Sequence, residues 1–145
     1  MCNLTDKYVF GESKTVYKAV AKRGENYYSL AMGCKYPICG TVPVVKKQNA
    51  ISNSFTTIMP YKSRFNPGTL VTPAAFEEEM TGRTSGFFDK EVCIDSLSHH
   101  SYYLRKGYKL CFIKVKLSKE LMIGEYVHNQ VLAGRHMKIL GEIKP

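Results

Sequence analysis

Two runs rich in β-branched and aromatic residues, Thr15–Ala21 and Tyr27–Met32, flank the short polar connection Lys22-Arg23-Gly24-Glu25-Asn26. That pattern predicts a β-hairpin, because the glycine allows the tight reversal and the flanking side chains favour extended backbone. Gly40–Val45 is a third candidate strand, and Pro43 within it removes a ladder donor, which predicts an edge position. Ser54–Met59 is a fourth, expected to pair across the polar stretch Lys46–Asn53. Phe112–Leu117 alternates apolar and basic residues from Ile113 onward, as a sheet with one wet face does. Val131–Ile143 is compatible with either regular structure, but Gly134 and Gly141 would each weaken a helix by ~1 kcal/mol relative to Ala, which favours a strand.

Helical signals are fewer. Pro60–Gly68 is a loop with two prolines and an Asn-Pro-Gly turn. Thr72 then caps a short helix with Pro73 in its first turn; Glu77, Glu78 and Glu79 lie near its positive end and Thr81-Gly82 closes it. Asp95 or Ser96 is expected to cap a second helix through Leu97, His100 and Leu104, with Gly107 at the C′ position. The elements sum to an α+β fold, an antiparallel β-sheet with two short helices packed on it. Without repeats or linkers, residues 1–145 are expected to form one compact domain, with 1–13 a loosely ordered N-terminal segment.

Charge narrows the partner. The chain has 21 Lys and Arg against 12 Asp and Glu, a formal net charge of +9. Residues 1–72 hold ten of the basic groups and only three of the acidic ones. Such an excess predicts attraction to something anionic, such as nucleic acid, a nucleotide or an acidic surface. The basic residues are dispersed over strands and loops, which suits discrete pockets better than a continuous polymer groove. No apolar run approaches the ~20 residues that span a bilayer, so no membrane partner is expected. Met1–Lys7 lacks the apolar core of a signal peptide, and the five cysteines are expected to be reduced thiols of a cytoplasmic protein.

Catalytic and metal signatures are thin. Cys34 and Cys39 form a C-x4-C pair that Cys93 or His99-His100 would have to complete, but zinc sites show a second tight pair. Cys93 and the two histidines do not make a Cys–His dyad by sequence proximity alone. Glu77-x-Glu79 is similar to the acidic motif of ADP-ribosyltransferases, yet Thr84-Ser85 follow it where that superfamily's arginine-modifying class places a Ser-Thr-Ser strand before it. The chain calls for no cofactor, metal or catalytic residue, and the balance leans away from an enzyme. Gly82-Arg83-Thr84-Ser85-Gly86 is a small basic loop of the kind whose amides bind phosphate. Of Phe87 and Phe88, one is expected in the core and one as a stacking face. Arg64 and Arg83 border loops with Tyr61, Phe65 and Phe87 nearby, and Arg with an aromatic ring grips base and phosphate together.

Val16-Tyr17-Lys18, Gly24-x-x-Tyr27-Tyr28-Ser29, Ser85-Gly86-Phe87-Phe88 and the ending Ala133–Glu142 resemble small phage-encoded proteins of the Thoeris anti-defence sponge type, over well under half of the chain. Members of that family are compact antiparallel sheets with helices that form oligomers and sequester cyclic ADP-ribose-type signals without degrading them. The resemblance implies a homo-oligomer with a small anionic nucleotide clamped at a subunit junction. Phe87 or Phe88 with Arg83, Arg105 and Arg135 would hold it. With Arg64 these make the expected ligand-binding set. A nucleic-acid-binding protein acting through its basic surface is the second reading, and an ADP-ribosyltransferase-like enzyme the third.

Overall fold

A computed structural model describes residues 13–44, 49–52, 59–60, 81–126 and 128–144. The hairpin forms as expected, but its second strand is shorter than the expected run: it ends at Tyr28, and residues 30–32 form a turn. β1 (Lys14–Arg23) pairs with β2 (Asn26–Tyr28) in the register Ala21↔Tyr28, Lys22↔Tyr27 and Arg23↔Asn26. Of the two residues left in the loop, only Gly24 takes a positive φ, 63°, which is what the first position of a type II′ turn requires.

The remaining strands are β3 (Cys39–Thr41), β4 (Met59–Pro60), β5 (Thr84–Phe87), β6 (Lys109–Ser118), β7 (Met122–Tyr126), β8 (Asn129–Gly134) and β9 (His136–Ile143). All pairings are antiparallel, in the order β3-β9-β6-β1-β5-β8-β7-β4 with β2 also on β1. β3 lies at one end of this order, as Pro43 just beyond it predicted. The expected pairing of the third and fourth strands does not form: β3 pairs with β9, while Met59 and Pro60 pair with Glu125 and Gly124 of β7, at the opposite end of the order. Residues 53–58 of that expected strand lie outside the described residues. The tail is extended, as favoured, but it is two strands joined through Arg135.

Helix content differs from expectation. Among the described residues the sheet carries one α-helix, α1 (Lys90–Leu97), which runs on into a 3-10 segment, Ser98–Tyr102. Asp89 caps it by accepting from the Val92 amide at 3.0 Å, so Asp95 and Ser96 sit inside the helix rather than at its start. Leu104 instead bridges to Ser52, and Gly107 serves a turn leading into β6. The other expected helix, from Thr72, falls on residues outside the described ones, as does the N-terminal segment 1–12.

Connection lengths show how the sheet is shaped. Three residues join β6 to β7, and Arg135 alone joins β8 to β9, although β1, β5 and β8 separate β6 from β7 in the hydrogen-bonded order. Such short links are satisfied only if the sheet curls until those strand ends meet. A Cβ on Gly134 of β8 would lie 3.3 Å from the Leu117 Cβ of β6, which places the two strands in contact across the curl.

Alternation then sorts the side chains. Val16, Val20, Ile113, Val115, Leu117, Leu132 and Met137 fill the inside of the curl with Tyr36 and Val42. Ala19, Ala21, Phe87, Phe112 and Val131 point outward, where Cys93, Ile94 and Leu97 of α1 cover them. Lys114 and Lys116 are exposed between buried Ile113, Val115 and Leu117, as the β6 pattern predicted. Cys111 packs as a small buried side chain.

Candidate anion-binding site

β1 and β2 carry Arg23 and Tyr28 to one end of the outer sheet face. The turn Arg105-Lys106-Gly107-Tyr108 meets them there, closed by the Tyr108 amide donating to the Arg105 carbonyl at 3.3 Å. Gly107 has φ 97°, the left-handed third position that a type II turn needs. Tyr28 and Tyr108 meet edge to face with centroids 5.5 Å apart. The Arg23 guanidinium lies 5.4 Å from the Tyr28 ring centre and 4.8 Å from that of Tyr108. Arg105 approaches the same Tyr108 ring at 5.7 Å.

Arg105 is braced by a 3.0 Å bond from Nη1 to Asn49 Oδ1 and by its amide bond to the Ile51 carbonyl. Among the described residues, neither Arg23 nor Arg105 is held by a carboxylate: Glu120 pairs with Arg135, Glu142 with Lys22, and Glu125 with His128. Two guanidiniums thus meet on one ring without a carboxylate among the described residues. Each stack is worth about 0.5–1 kcal/mol at an exposed site, enough to orient the fork without occupying it.

The expected ligand set is scattered. Arg64 lies outside the described residues. Phe87 is core, 4% exposed and edge-on to Tyr126 at 5.8 Å, while Phe88 is 39% exposed, so one ring is buried and one open as expected. The expected loop Gly82–Gly86 is not a loop: Thr84 to Phe87 form β5, paired with β8 from Thr84↔Gly134 to Phe87↔Val131. Their amides belong to a sheet.

Arg83 and Arg135 do come together, but at the seam of the curled sheet. Arg83 Nε donates to the Glu120 carbonyl at 3.0 Å. Arg135 Nε pairs with the Glu120 carboxylate at 2.8 Å, and its Nη1 donates to the Thr81 carbonyl at 3.0 Å. The Arg135 backbone accepts from Val42 and donates to Lys119. Replacing Arg135 with Gln is expected to destabilise the fold by about 2 kcal/mol, from lost charge-assisted hydrogen bonds. Chemical denaturation reads that loss, and nucleotide affinity stays unchanged in the same variant.

Other titratable clusters are structural in character. Lys22 and Tyr27 both reach Glu142, at 2.5 and 2.7 Å. The hydrogen bond from Lys22, then that from Tyr27, holds the Glu142 carboxyl down at about 2. Burial, then the bond to Glu142, pushes the Tyr27 phenol up to about 12. Burial likewise pushes the thiols of Cys93 and Cys111 up to about 12, far from the thiolate that a nucleophile or metal ligand needs. Among the described residues no three His, Cys, Asp or Glu side chains are grouped to hold a metal, and no helix is long and apolar enough to cross a membrane. Glu77 and Glu79 lie outside the described residues.

Arg105 was legible as a candidate; Arg23, Tyr28 and Tyr108 were not. Their signal was the hairpin register together with the Gly107 turn. No protein-family model, curated protein or solved structure matches this chain.

Proposed function

We propose that this protein binds a small phosphate-bearing nucleotide without transforming it. The observation that carries the reading is the convergence of Arg23 and Arg105 on the Tyr108 ring, with no carboxylate of the described residues on either guanidinium. A guanidinium fork matches two phosphate oxygens, and a base can stack on the guanidinium planes that the tyrosines support. Among the described residues, nothing grouped at this cluster supplies a general base or nucleophile. The resemblance to sequestering proteins points the same way, to a ligand of the ADP-ribose kind and to a homo-oligomer, which native mass would reveal.

With ADP-ribose at about a hundredfold excess over Kd, binding adds about 2.7 kcal/mol to stability. A raised melting temperature is expected, with the nucleotide recovered intact by mass spectrometry after heat denaturation. Recovery of a cleaved product would overturn the reading in favour of an enzyme.

A further inference from the structure

The other half of the outer sheet face is chemically distinct. Lys114 and Lys116 point outward from β6, two residues apart and so about 6.8 Å along the strand. Lys138 of β9 stands directly opposite Lys116. On the other side, Thr15 faces Lys116 and Tyr17 faces Lys114. All three lysines are exposed, and among the described residues none has an acidic partner. Like charges directly opposite each other destabilise a sheet, so this face carries an electrostatic cost that an anion would relieve. Beside Lys114 the β9 position is Gly141, around which a Cβ would meet nothing within 4 Å. The surface there is open.

Tyr17 connects this basic face to an apolar pocket. The pocket is small, walled by buried Phe87, Leu97, Tyr126 and Val131 and by half-buried Tyr17. Of these walls, Tyr17 alone keeps an accessible ring on which a base can stack. Lys114 stands directly opposite Tyr17 on the neighbouring strand. Lys116 and Lys138 continue the basic face away from Tyr17.

We infer that this face binds single-stranded nucleic acid, with one base stacked on Tyr17 and the neighbouring phosphates along Lys114, Lys116 and Lys138. A single strand can splay a base onto Tyr17 while its backbone crosses an open sheet. A duplex would have to unstack first. The site is separate from the Arg23–Arg105 cluster, since α1 covers the sheet between them.

Fluorescence anisotropy with a short labelled oligothymidylate tests this, with a matched abasic oligomer and polyglutamate as competitors. Wild type is expected to bind with strong salt dependence. The variant Lys114→Gln/Lys116→Gln/Lys138→Gln should bind at least about tenfold more weakly, with a salt slope shallower by about 2, and should melt normally. Arg23→Gln/Arg105→Gln should bind the oligomer as wild type does, so failure of the nucleotide reading leaves this one standing. Absence of binding at low salt, or an unchanged affinity in the triple-lysine variant, overturns the inference. Equal competition by polyglutamate overturns it in favour of an acidic protein partner. Equal affinity for the abasic oligomer removes the base from Tyr17 and overturns the proposed mode.

Discussion

Adding one methyl group at Gly86 is expected to destabilise this fold by about 3 kcal/mol, the upper end of the usual overpacking cost. A Cβ there would lie 2.5 Å from Val16 Cγ2 and 2.8 Å from the Tyr17 carbonyl oxygen. Val16 is fully buried in the inner core, so it has no space to rotate away. The carbonyl belongs to β1, and moving it would disturb the contact through which β5 meets β1, registered at Tyr17↔Phe87. That junction joins the two halves of the sheet. A domain of this size is stable by roughly 10 kcal/mol, so Gly86→Ala would remove about a third of the total. Urea denaturation should show a lower midpoint with an unchanged slope. A loss under about 0.5 kcal/mol would contradict the close packing of β5 on β1.

Mild acid is expected to produce the second large effect. His100 is fully buried, with its Nδ1 2.5 Å from Ser52 Oγ. Burial, and secondarily the charge of His99, pulls its pKa from 6.5 down to about 4. The unfolded chain takes up this proton below pH 6.5, while the folded chain resists it until near pH 4. The contribution is therefore complete above pH 6.5 and is lost as pH falls toward 4, a decline of roughly 3 kcal/mol. Glu142, lowered from 4.5 to about 2, adds a further loss from pH 4.5 downward, small because the ion pair is solvent-exposed. His100→Gln keeps a hydrogen-bonding side chain but cannot be protonated. Its stability should be lower at pH 7 and nearly flat between pH 6.5 and 4.5. An equally steep decline in that variant would assign the acid sensitivity elsewhere.

The parts of the fold legible in the sequence were those with strong local signals. Gly24 between two β-branched runs marked the hairpin, and the Ile113–Leu117 alternation marked β6 with its wet lysines. β5 was illegible because Thr84, Ser85 and Gly86 are small and polar; they form a strand because Gly86 alone fits against Val16. β7 was hidden by its entry, where Lys119 and Glu120 adopt positive φ of 62° and 50° without the glycine or asparagine that normally announces such a turn. The helix start was misplaced by six residues because Asp89 and Asp95 are equivalent as caps by composition, and only packing of Cys93, Ile94 and Leu97 on the sheet chooses between them.

The site follows the same logic. The resemblance named Arg83, Arg105 and Arg135 alike, since sequence carries no information on which guanidiniums a fold consumes. The curl of the sheet directs Arg83 and Arg135 onto Glu120, while Arg105 lies beside Arg23 with no carboxylate of the described residues on it. The long-range pairing that brings β1 next to β6 determines this, and no local window contains it.

Calorimetric titration of ADP-ribose into wild type and into Arg23→Gln/Arg105→Gln tests the central claim most directly. Saturable binding is predicted for wild type, weakened about a hundredfold or more in the double variant by loss of two charge-assisted contacts, with Arg135→Gln binding as wild type does. Equal affinity in wild type and the double variant, or loss of binding in Arg135→Gln alone, would contradict it.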